Sequence, residues 1–311
     1  MAYLLLKNWD GTMKHKWILF VSECFIIMLI LCCAKKADFP VLKGPYLGQK
    51  PPGMTPEIFA PGIISTNDHF ETSPAFSPDG KEFYFSRTPR LNWDEGAFTL
   101  VTTEKKEGWT KPKVAPFSGM HVDFEGHFFP QGKKFIFNRF STVDTTIQSG
   151  LWIIEKTKRG WSEPQFLING TYATATNRGT IYFAHWDMNG TRALYRMRQE
   201  DGEYLEPELL GGDLNTPYYE CHPFIHPMEE YIIFDSDRSN PGDQKSIDLY
   251  ISFRNSDESW GEVLRFGHKL NNMSKNMAYV TQDEKYIFYT SEDSNIYWVD
   301  AKIIEELRAK E

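Results

Sequence analysis

The chain has 311 residues, of which 34 are Lys or Arg and 42 are Asp or Glu, giving a net charge of −8. Phe, Tyr and Trp make up 15% of the residues, which is far too much large apolar surface for a disordered chain. The acidic balance argues against nucleic acid as the main partner, because a duplex binder needs a basic surface. Four Cys residues are too few for a disulfide-built scaffold.

An apolar segment near the N-terminus predicts an export signal. Residues 17–31 are almost wholly apolar and follow two lysines, but a run of about 15 residues is short for a membrane-spanning helix, which needs roughly 20. The segment ends in two adjacent cysteines and resembles the lipobox of bacterial lipoproteins. This resemblance implies a signal peptide over residues 1–33 and a lipid on Cys33, with Cys32 as the alternate. A plain membrane anchor, or cleavage near Ala34, is the alternative interpretation.

A pattern of about 50 residues then recurs five times along the chain. Each copy has a turn of the Pro-Asp-Gly type followed by an aromatic and β-branched strand; it is best preserved at residues 76–86 and most altered at residues 176–183. Pro fixes φ in such a turn and Gly supplies a positive φ, so each copy predicts a hairpin. The aromatic markers of the copies are Phe85, Phe137, Phe183, Phe234 and Phe288.

A third strand follows the hairpin in every copy, and a fourth follows in four of the five. The fourth strands are predicted at residues 109–114, 161–166, 204–209 and 260–264, and the first three of them contain a proline. Proline suits an outermost strand, because its missing N–H costs no ladder hydrogen bond there. Four strands in about 50 residues predict the blade of a propeller.

The last copy has no fourth strand of its own. After its third strand the chain enters a helical pattern over residues 301–311, whereas residues 55–62 match residues 206–212 closely. We therefore predict that the N-terminal strand completes the last blade, which would remove open sheet edges. The predicted fold is an all-β, five-bladed β-propeller over residues 55–300, preceded by a tether at residues 34–54. An open solenoid or a sandwich of hairpins is the alternative.

The turn at residues 77–81 (SPDGK), followed by an aromatic strand, resembles the WD40-like repeat called PD40. This repeat is found in TolB-type propellers and in many bacterial lipoproteins. Residues 236–250 and 296–304 are similar to further signatures of the family. The resemblance implies a propeller that mostly hosts binding roles. Since the propeller of TolB has six blades and five are predicted here, no Tol function is carried over.

Polar residues in and just before the first strand of each unit are candidate ligand-binding residues, because that strand lines the central channel of a propeller. When the units are aligned on the turn proline, acidic side chains of three units fall at equivalent positions, and a second polar ring follows two residues later. Strand alternation would turn such residues toward the channel, where three carboxylates would attract a cation or a hydroxyl-rich ligand. The candidates are Glu71, Asp123 and Glu220 in the first ring, Ser73, Glu125 and His222 in the second, and His127 beside them.

These features predict a recognition protein, lipid-anchored on the periplasmic or outer face of a bacterial envelope, that binds a protein or a glycan at the channel mouth. No cofactor is predicted, although the ring carboxylates leave room for a divalent cation. We expect a monomer that is held at the membrane by its lipid and does not bind nucleic acid. The alternative is a carbohydrate hydrolase that uses two channel-mouth carboxylates. No catalytic residue is assigned.

Overall fold

Five antiparallel sheets with a common four-stranded pattern follow one another along the chain and form the blades of a β-propeller. The computed structural model describes residues 39–89, 96–141, 144–186, 192–239, 247–271 and 275–309. The predicted signal peptide and both candidate lipidation sites, Cys32 and Cys33, lie outside these residues. The prediction of an all-β, five-bladed propeller is confirmed.

The first strand along the chain, β1 (Glu57–Ile58), belongs to the last blade. Blade 1 contains β2 (His69–Phe76), β3 (Glu82–Pro89), β4 (Phe98–Lys105), β5 (Gly108–Trp109) and β6 (Lys113–Val114). Blade 2 contains β7 (Val122–Phe128), β8 (Lys134–Phe140), β9 (Gly150–Thr157), β10 (Gly160–Trp161) and β11 (Gln165–Ile168). In blades 1 and 2 the third strand pairs with both of the short strands that follow it.

Blade 3 contains β12 (Thr171–Ala175), β13 (Ile181–Trp186), β14 (Arg192–Met197) and β17 (Glu208–Leu209). A small hairpin, β15 (Gln199–Glu200) with β16 (Glu203–Tyr204), interrupts that blade before its outer strand. Blade 4 contains β18 (Glu220–Ile225), β19 (Tyr231–Ser236), β20 (Asp248–Phe253) and β21 (Leu264–Arg265). Blade 5 contains β22 (Lys275–Val280), β23 (Tyr286–Ser291), β24 (Ile296–Asp300) and β1.

In blades 1 and 5, the turn between the first two strands is held by an aspartate. In blade 1, Asp79 Oδ1 accepts a hydrogen bond from Ser77 Oγ at 2.6 Å, and Gly80 adopts a φ of 69°. In blade 5, Asp283 accepts the equivalent bond from Thr281 at 2.7 Å. A short polar side chain that bonds within its own turn fixes the turn geometry and therefore the register of the hairpin.

The core lies between neighbouring blades and consists largely of aromatic side chains. On β8, Phe135 and Phe137 pack with Tyr84 of blade 1, whereas Ile136 packs with Phe183 of blade 3. The strand is thus buried on both faces, which is what its continuous apolar sequence predicts. The fully buried phenylalanines of the second strands are Phe83, Phe85, Phe135, Phe137, Phe183, Phe234 and Phe288.

The ring is closed by the N-terminal strand. β1 pairs antiparallel with β24, with Glu57 opposite Trp298 and Ile58 opposite Tyr297. The outer strand of blade 5 therefore comes from the opposite end of the propeller sequence. This is the predicted closure, and it gives the last blade the fourth strand that its own repeat lacks.

Segments on either side of the propeller sequence also pack against it. From Leu42 onward the predicted tether is ordered on the propeller, where Leu47 is buried and the Tyr46 ring contacts Trp298. After blade 5 the helix α1 (Lys302–Arg308) buries three apolar side chains. None of the helices in the described part of the chain is long and apolar enough to cross a bilayer.

Candidate functional site

The first strand of every blade carries one β-bulge at the same position. The pairing with the second strand gains one extra residue there, and the bulged residue adopts a left-handed backbone that residues other than Gly rarely use. These residues, here named the bulge ring, are Ser73, Glu125, Tyr172, His222 and Met277, with φ between 48° and 56°. Contacts between blades, such as Ser73 Oγ to Met277 Sδ at 3.2 Å, bring their side chains together.

The three carboxylates of the first predicted ring are each engaged within their own blade. Each carboxylate is fully buried and pairs with an arginine of its blade: Glu71–Arg87 at 2.9 Å, Asp123–Arg139 at 2.6 Å and Glu220–Arg238 at 3.1 Å. Burial raises the pKa of Asp123, against the opposing effect of the Arg139 guanidinium. The structure therefore does not bring these carboxylates together as one acidic rim. Within the described residues, no group of three or more His, Cys, Asp or Glu side chains could hold a metal ion.

The arginines of these pairs also hold the loop that precedes each blade. Arg139 Nη2 donates to the Phe117 carbonyl at 2.7 Å, and the arginines of blades 1 and 4 make the same kind of bond. A guanidinium suits this double task because its donors form a rigid fork. The other two blades differ at the position of the carboxylate, where blade 5 has Lys275 and blade 3 has Gly170.

His222 connects blades 4 and 2 within the bulge ring. Its Nδ1 lies 2.7 Å and 2.9 Å from the two carboxylate oxygens of Asp235, and its Nε2 lies 3.7 Å from Glu125 Oε1. Burial alone would lower the pKa of His222, but the Asp235 carboxylate raises it well above its usual value. The Tyr172 ring lies against the imidazole, with the ring centroids 3.7 Å apart. The structure thus brings together Ser73, Glu125 and His222, the second predicted ring.

His127 lies beside the bulge ring, and its pKa is shifted in the opposite direction to that of His222. It is buried, its Nδ1 has no hydrogen-bond partner among the described residues, and burial together with the charge of His222 lowers its pKa to about 4. With the bulge ring it lines a cavity of about 10 Å³. That is roughly the space of one water molecule. This level of the channel is therefore too narrow for a sugar or a peptide.

We expect His127 to reduce the stability of the protein in weak acid. Its imidazole stays neutral in the folded state down to about pH 4, whereas in the unfolded chain it gains a proton below about pH 6.5. The free energy of unfolding is therefore unaffected by this histidine above about pH 6.5. It falls as the pH is lowered, by about 2 kcal/mol between pH 7.5 and pH 5. Urea titrations should show a smaller loss in His127→Gln, while the exposed-site control His268→Gln should keep it. Equal losses in both variants would contradict the prediction.

An open cavity of about 310 Å³ adjoins the bulge ring through Tyr172, which lines both spaces. Here named the mouth cavity, it lies between blades 2 and 3 and is lined by Phe124, Phe140, Asn169, Tyr172, His185 and Arg192, among others. No Asp or Glu of the described residues lines it. Of the seven predicted site residues, none lines this cavity.

Sequence reasoning missed the mouth cavity because most of its side chains lie outside the first strands. Phe140 ends β8, His185 lies on β13 and Arg192 begins β14. The one available signal was in the third repeat, where Gly170 stands in place of the carboxylate of three other repeats. That difference sets blade 3 apart from blades 1, 2 and 4.

No family model and no curated protein matches the sequence. Among solved structures, the chain is similar to the catalytic domain of a GH62 α-L-arabinofuranosidase from Coprinopsis cinerea, with 10% identity, a TM-score of 0.52, and coverage of 80% of this chain and 97% of that one. It is also similar to a putative TolB from Agrobacterium tumefaciens, with 16% identity, a TM-score of 0.48, and coverage of 73% and 71%. A gluconolactonase from Xanthomonas campestris gives 10% identity, a TM-score of 0.48, and coverage of 84% and 98%. At these identities the likeness concerns the propeller fold alone.

Proposed function

We propose that the protein is a non-catalytic binding module of a bacterial cell envelope and that it binds a glycan in the mouth cavity. The composition of this cavity is the observation that carries the proposal. Phe140 is 36% exposed and stands edge to face on Phe124, with the ring centroids 5.9 Å apart. Sugar rings have an apolar face and a rim of hydroxyl groups, so an exposed aromatic ring beside polar side chains is a suitable surface for them.

The walls of the mouth cavity are held in place by internal hydrogen bonds. Asn138 donates to Glu125 Oε2 at 2.9 Å and to Thr171 Oγ1 at 2.7 Å, and its carbonyl oxygen accepts from the Tyr172 N–H at 3.2 Å. The bulge ring is thereby joined to the cavity wall. A wall fixed in this way loses little conformational entropy on binding, which favours affinity. The volume of about 310 Å³ is at the lower end of the range for small-molecule sites.

The same cavity does not favour glycoside hydrolysis. That reaction requires two carboxyl groups on either side of the scissile bond. The described lining contains none, and Asp123, the acid whose partner Arg139 reaches this cavity, is bound in an ion pair. The geometry therefore supports binding over the hydrolase that the sequence left open.

The envelope location and the anchor are proposed from the sequence. From the apolar segment and the lipobox-like end we propose a lipid on Cys33, with Cys32 as the alternate. A lipid anchor of this kind would hold the propeller at a membrane without a spanning helix. We propose that the anchored protein is a monomer, with its glycan site at the channel mouth.

Binding of the purified protein to a panel of envelope oligosaccharides tests the proposal. We expect one glycan class to bind, and Phe140→Ala to weaken that affinity about tenfold, equivalent to ~1.4 kcal/mol. Met228→Ala, which truncates a side chain that is 65% exposed on blade 4, is the control and should bind as the parent protein does. Binding by no member of the panel, or shortened products in mass spectra of the bound glycan, would refute the proposal.

A further inference from the structure

A second open cavity, of about 510 Å³, lies between blades 3 and 4 at the end of the propeller where the first two strands of each blade turn. It is here named the turn cavity. Thr176 and Arg178 line it from the turn of blade 3, and Pro227 and Glu229 line it from the turn of blade 4. Four arginine and three glutamate side chains are in its lining, and none of them lines the mouth cavity.

Two of the four arginines have no acidic partner. Arg196 Nε and Arg198 Nε each lie 3.0 Å from a carboxylate oxygen of Glu208. Arg178 is exposed, and neither Arg178 nor Arg254 forms an ion pair with a described residue. The Nη1 atom of Arg254 is buried and has no hydrogen-bond partner among the described residues. Because a buried donor without a partner is unfavourable, an acceptor supplied from outside would be bound there.

The interface of blades 1 and 2 shows which partner is missing. Lys156 occupies the position of Arg254, since the N–H of each donates to a carbonyl in the first turn of its own blade. Each side chain also lies over a tryptophan, Lys156 over Trp161 at 5.6 Å and Arg254 over Trp260 at 4.8 Å. Lys156 Nζ, however, lies 3.3 Å from Glu82 Oε2 in the turn of blade 1. The same cationic position thus has a carboxylate partner at one interface and none at the other.

The turn of blade 3 has lost two acidic side chains of the turn of blade 1. Thr180 takes the position of Glu82, since each donates its N–H to the hydroxyl group that opens the turn. Arg178 takes the position of Asp79, because each directly precedes a glycine that bonds back to the start of the turn. A neutral and a cationic side chain therefore replace two carboxylates. The anion that would pair with Arg254 has to come from a ligand.

The three glutamates of the lining restrict the choice of ligand. Glu229 Oε1 accepts a hydrogen bond from the Tyr182 hydroxyl at 2.5 Å. Glu200 and Glu258 are exposed, and neither forms an ion pair with a described residue. A ligand that is only anionic would be repelled by these carboxylates, whereas one that also carries an ammonium group would be attracted to them.

We infer that the turn cavity binds a phosphate that also carries an ammonium group. Arg178 and Arg254 hold the phosphate, whose oxygen atoms accept hydrogen bonds from guanidinium groups on two walls. Glu200 and Glu258 attract the ammonium group. Phosphoethanolamine is the simplest compound with this chemistry, either free or attached through its phosphate to a lipid or a glycan. The inference is independent of the proposed function, because the two cavities share no lining residue.

Calorimetric titration of the purified protein tests the inference with four probes: phosphoethanolamine, its glycerol ester, inorganic phosphate and ethanolamine. We expect phosphoethanolamine or its ester to bind at least about tenfold more tightly than the other two probes, and its affinity to fall as salt is raised. Tighter binding of the ester supports an attached headgroup as the source, and tighter binding of the free compound supports a soluble ligand. Inorganic phosphate binding as tightly as phosphoethanolamine, or no binding of any probe, would overturn the inference.

Matched variants give a second readout. Arg254→Met should weaken the binding of phosphoethanolamine about tenfold, whereas Lys156→Met, at the same position between blades 1 and 2, should leave it unchanged. Arg178→Ala changes an exposed turn residue and should also weaken binding, so it tests the site if thermal unfolding shows that Arg254→Met is not folded. Glycan binding in the mouth cavity should persist in these variants. Unchanged affinity in Arg178→Ala or in folded Arg254→Met, or an equal loss in Lys156→Met, would overturn the inference and leave the proposed function standing.

Discussion

Replacing Phe59 with alanine is expected to lower the free energy of unfolding by about 4 kcal/mol. Phe59 directly follows β1, is fully buried, and donates its N–H to the Ile296 carbonyl at 2.8 Å. Its ring packs on Phe83, Phe288 and Trp298, with centroid distances of 5.3 Å, 4.9 Å and 5.2 Å. Truncation would leave a cavity between the first and the last blade. Because β1 is only two residues long, its attachment to β24 depends strongly on this side chain.

Denaturant titrations followed by tryptophan fluorescence measure this effect. Leu209→Ala is the control, because it truncates a side chain that is 56% exposed on the equally short outer strand β17. We expect the control to change the free energy of unfolding by less than about 0.5 kcal/mol. A loss below about 1 kcal/mol in Phe59→Ala would show that the ring does not depend on its N-terminal closure.

Replacing His222 with glutamine is expected to lower the free energy of unfolding by about 3–5 kcal/mol. The change leaves Asp235 as a buried carboxylate without its imidazolium partner, while the Met277 N–H continues to donate to it at 3.3 Å. It also removes the charge that lies 3.7 Å from Glu125. Since Asp235 raises the pKa of His222, the stabilisation is complete below about pH 6.5 and is lost as the pH rises through the folded-state value.

A double-mutant cycle separates the pair from its surroundings. Adding Asp235→Asn to His222→Gln should restore part of the lost stability, because the carboxylate nearest to the lost imidazolium is then replaced by a neutral amide. His226→Gln is the control, since that histidine pairs at 3.2 Å with Glu284, which is 64% exposed, and its loss should be about 1 kcal/mol. If the loss of stability in the double variant equals the sum of the losses in the two single variants, His222 is not held by an ion pair with Asp235.

The repeat, the number of blades and the closing strand could all be predicted from the sequence, because each rests on local patterns. Turn residues and alternating aromatic residues specify a hairpin without reference to the rest of the chain. The outer strands were predicted less well. The strand predicted over residues 109–114 is divided into β5 and β6 on either side of Pro112, which cannot donate to the ladder. In blade 2, Pro164 separates β10 from β11 in the same way.

The candidate site was only partly predictable, for two physical reasons. Simple alternation along a strand fails where a bulge adds a residue, and the bulged residues Ser73, Glu125 and His222 are those that meet in the channel. The carboxylates two residues earlier face a cross-strand partner instead: Glu71 lies opposite Arg87, and Asp123 lies opposite Arg139. Counting the hairpin register from the turn would have found those two pairs, but no local pattern marks Arg192 as a lining residue of the mouth cavity.

The closure of the ring also has a consequence for biogenesis. The segment containing Glu57 is synthesised early, but its partner strand, with Trp298, is among the last parts of the propeller to be made. Most of the chain must therefore be synthesised before the final blade can be completed. A prematurely terminated product would leave the N-terminal strand unpartnered and a sheet margin exposed to other molecules. Correct assembly therefore requires a chain that contains both β1 and β24, since these two strands close the ring.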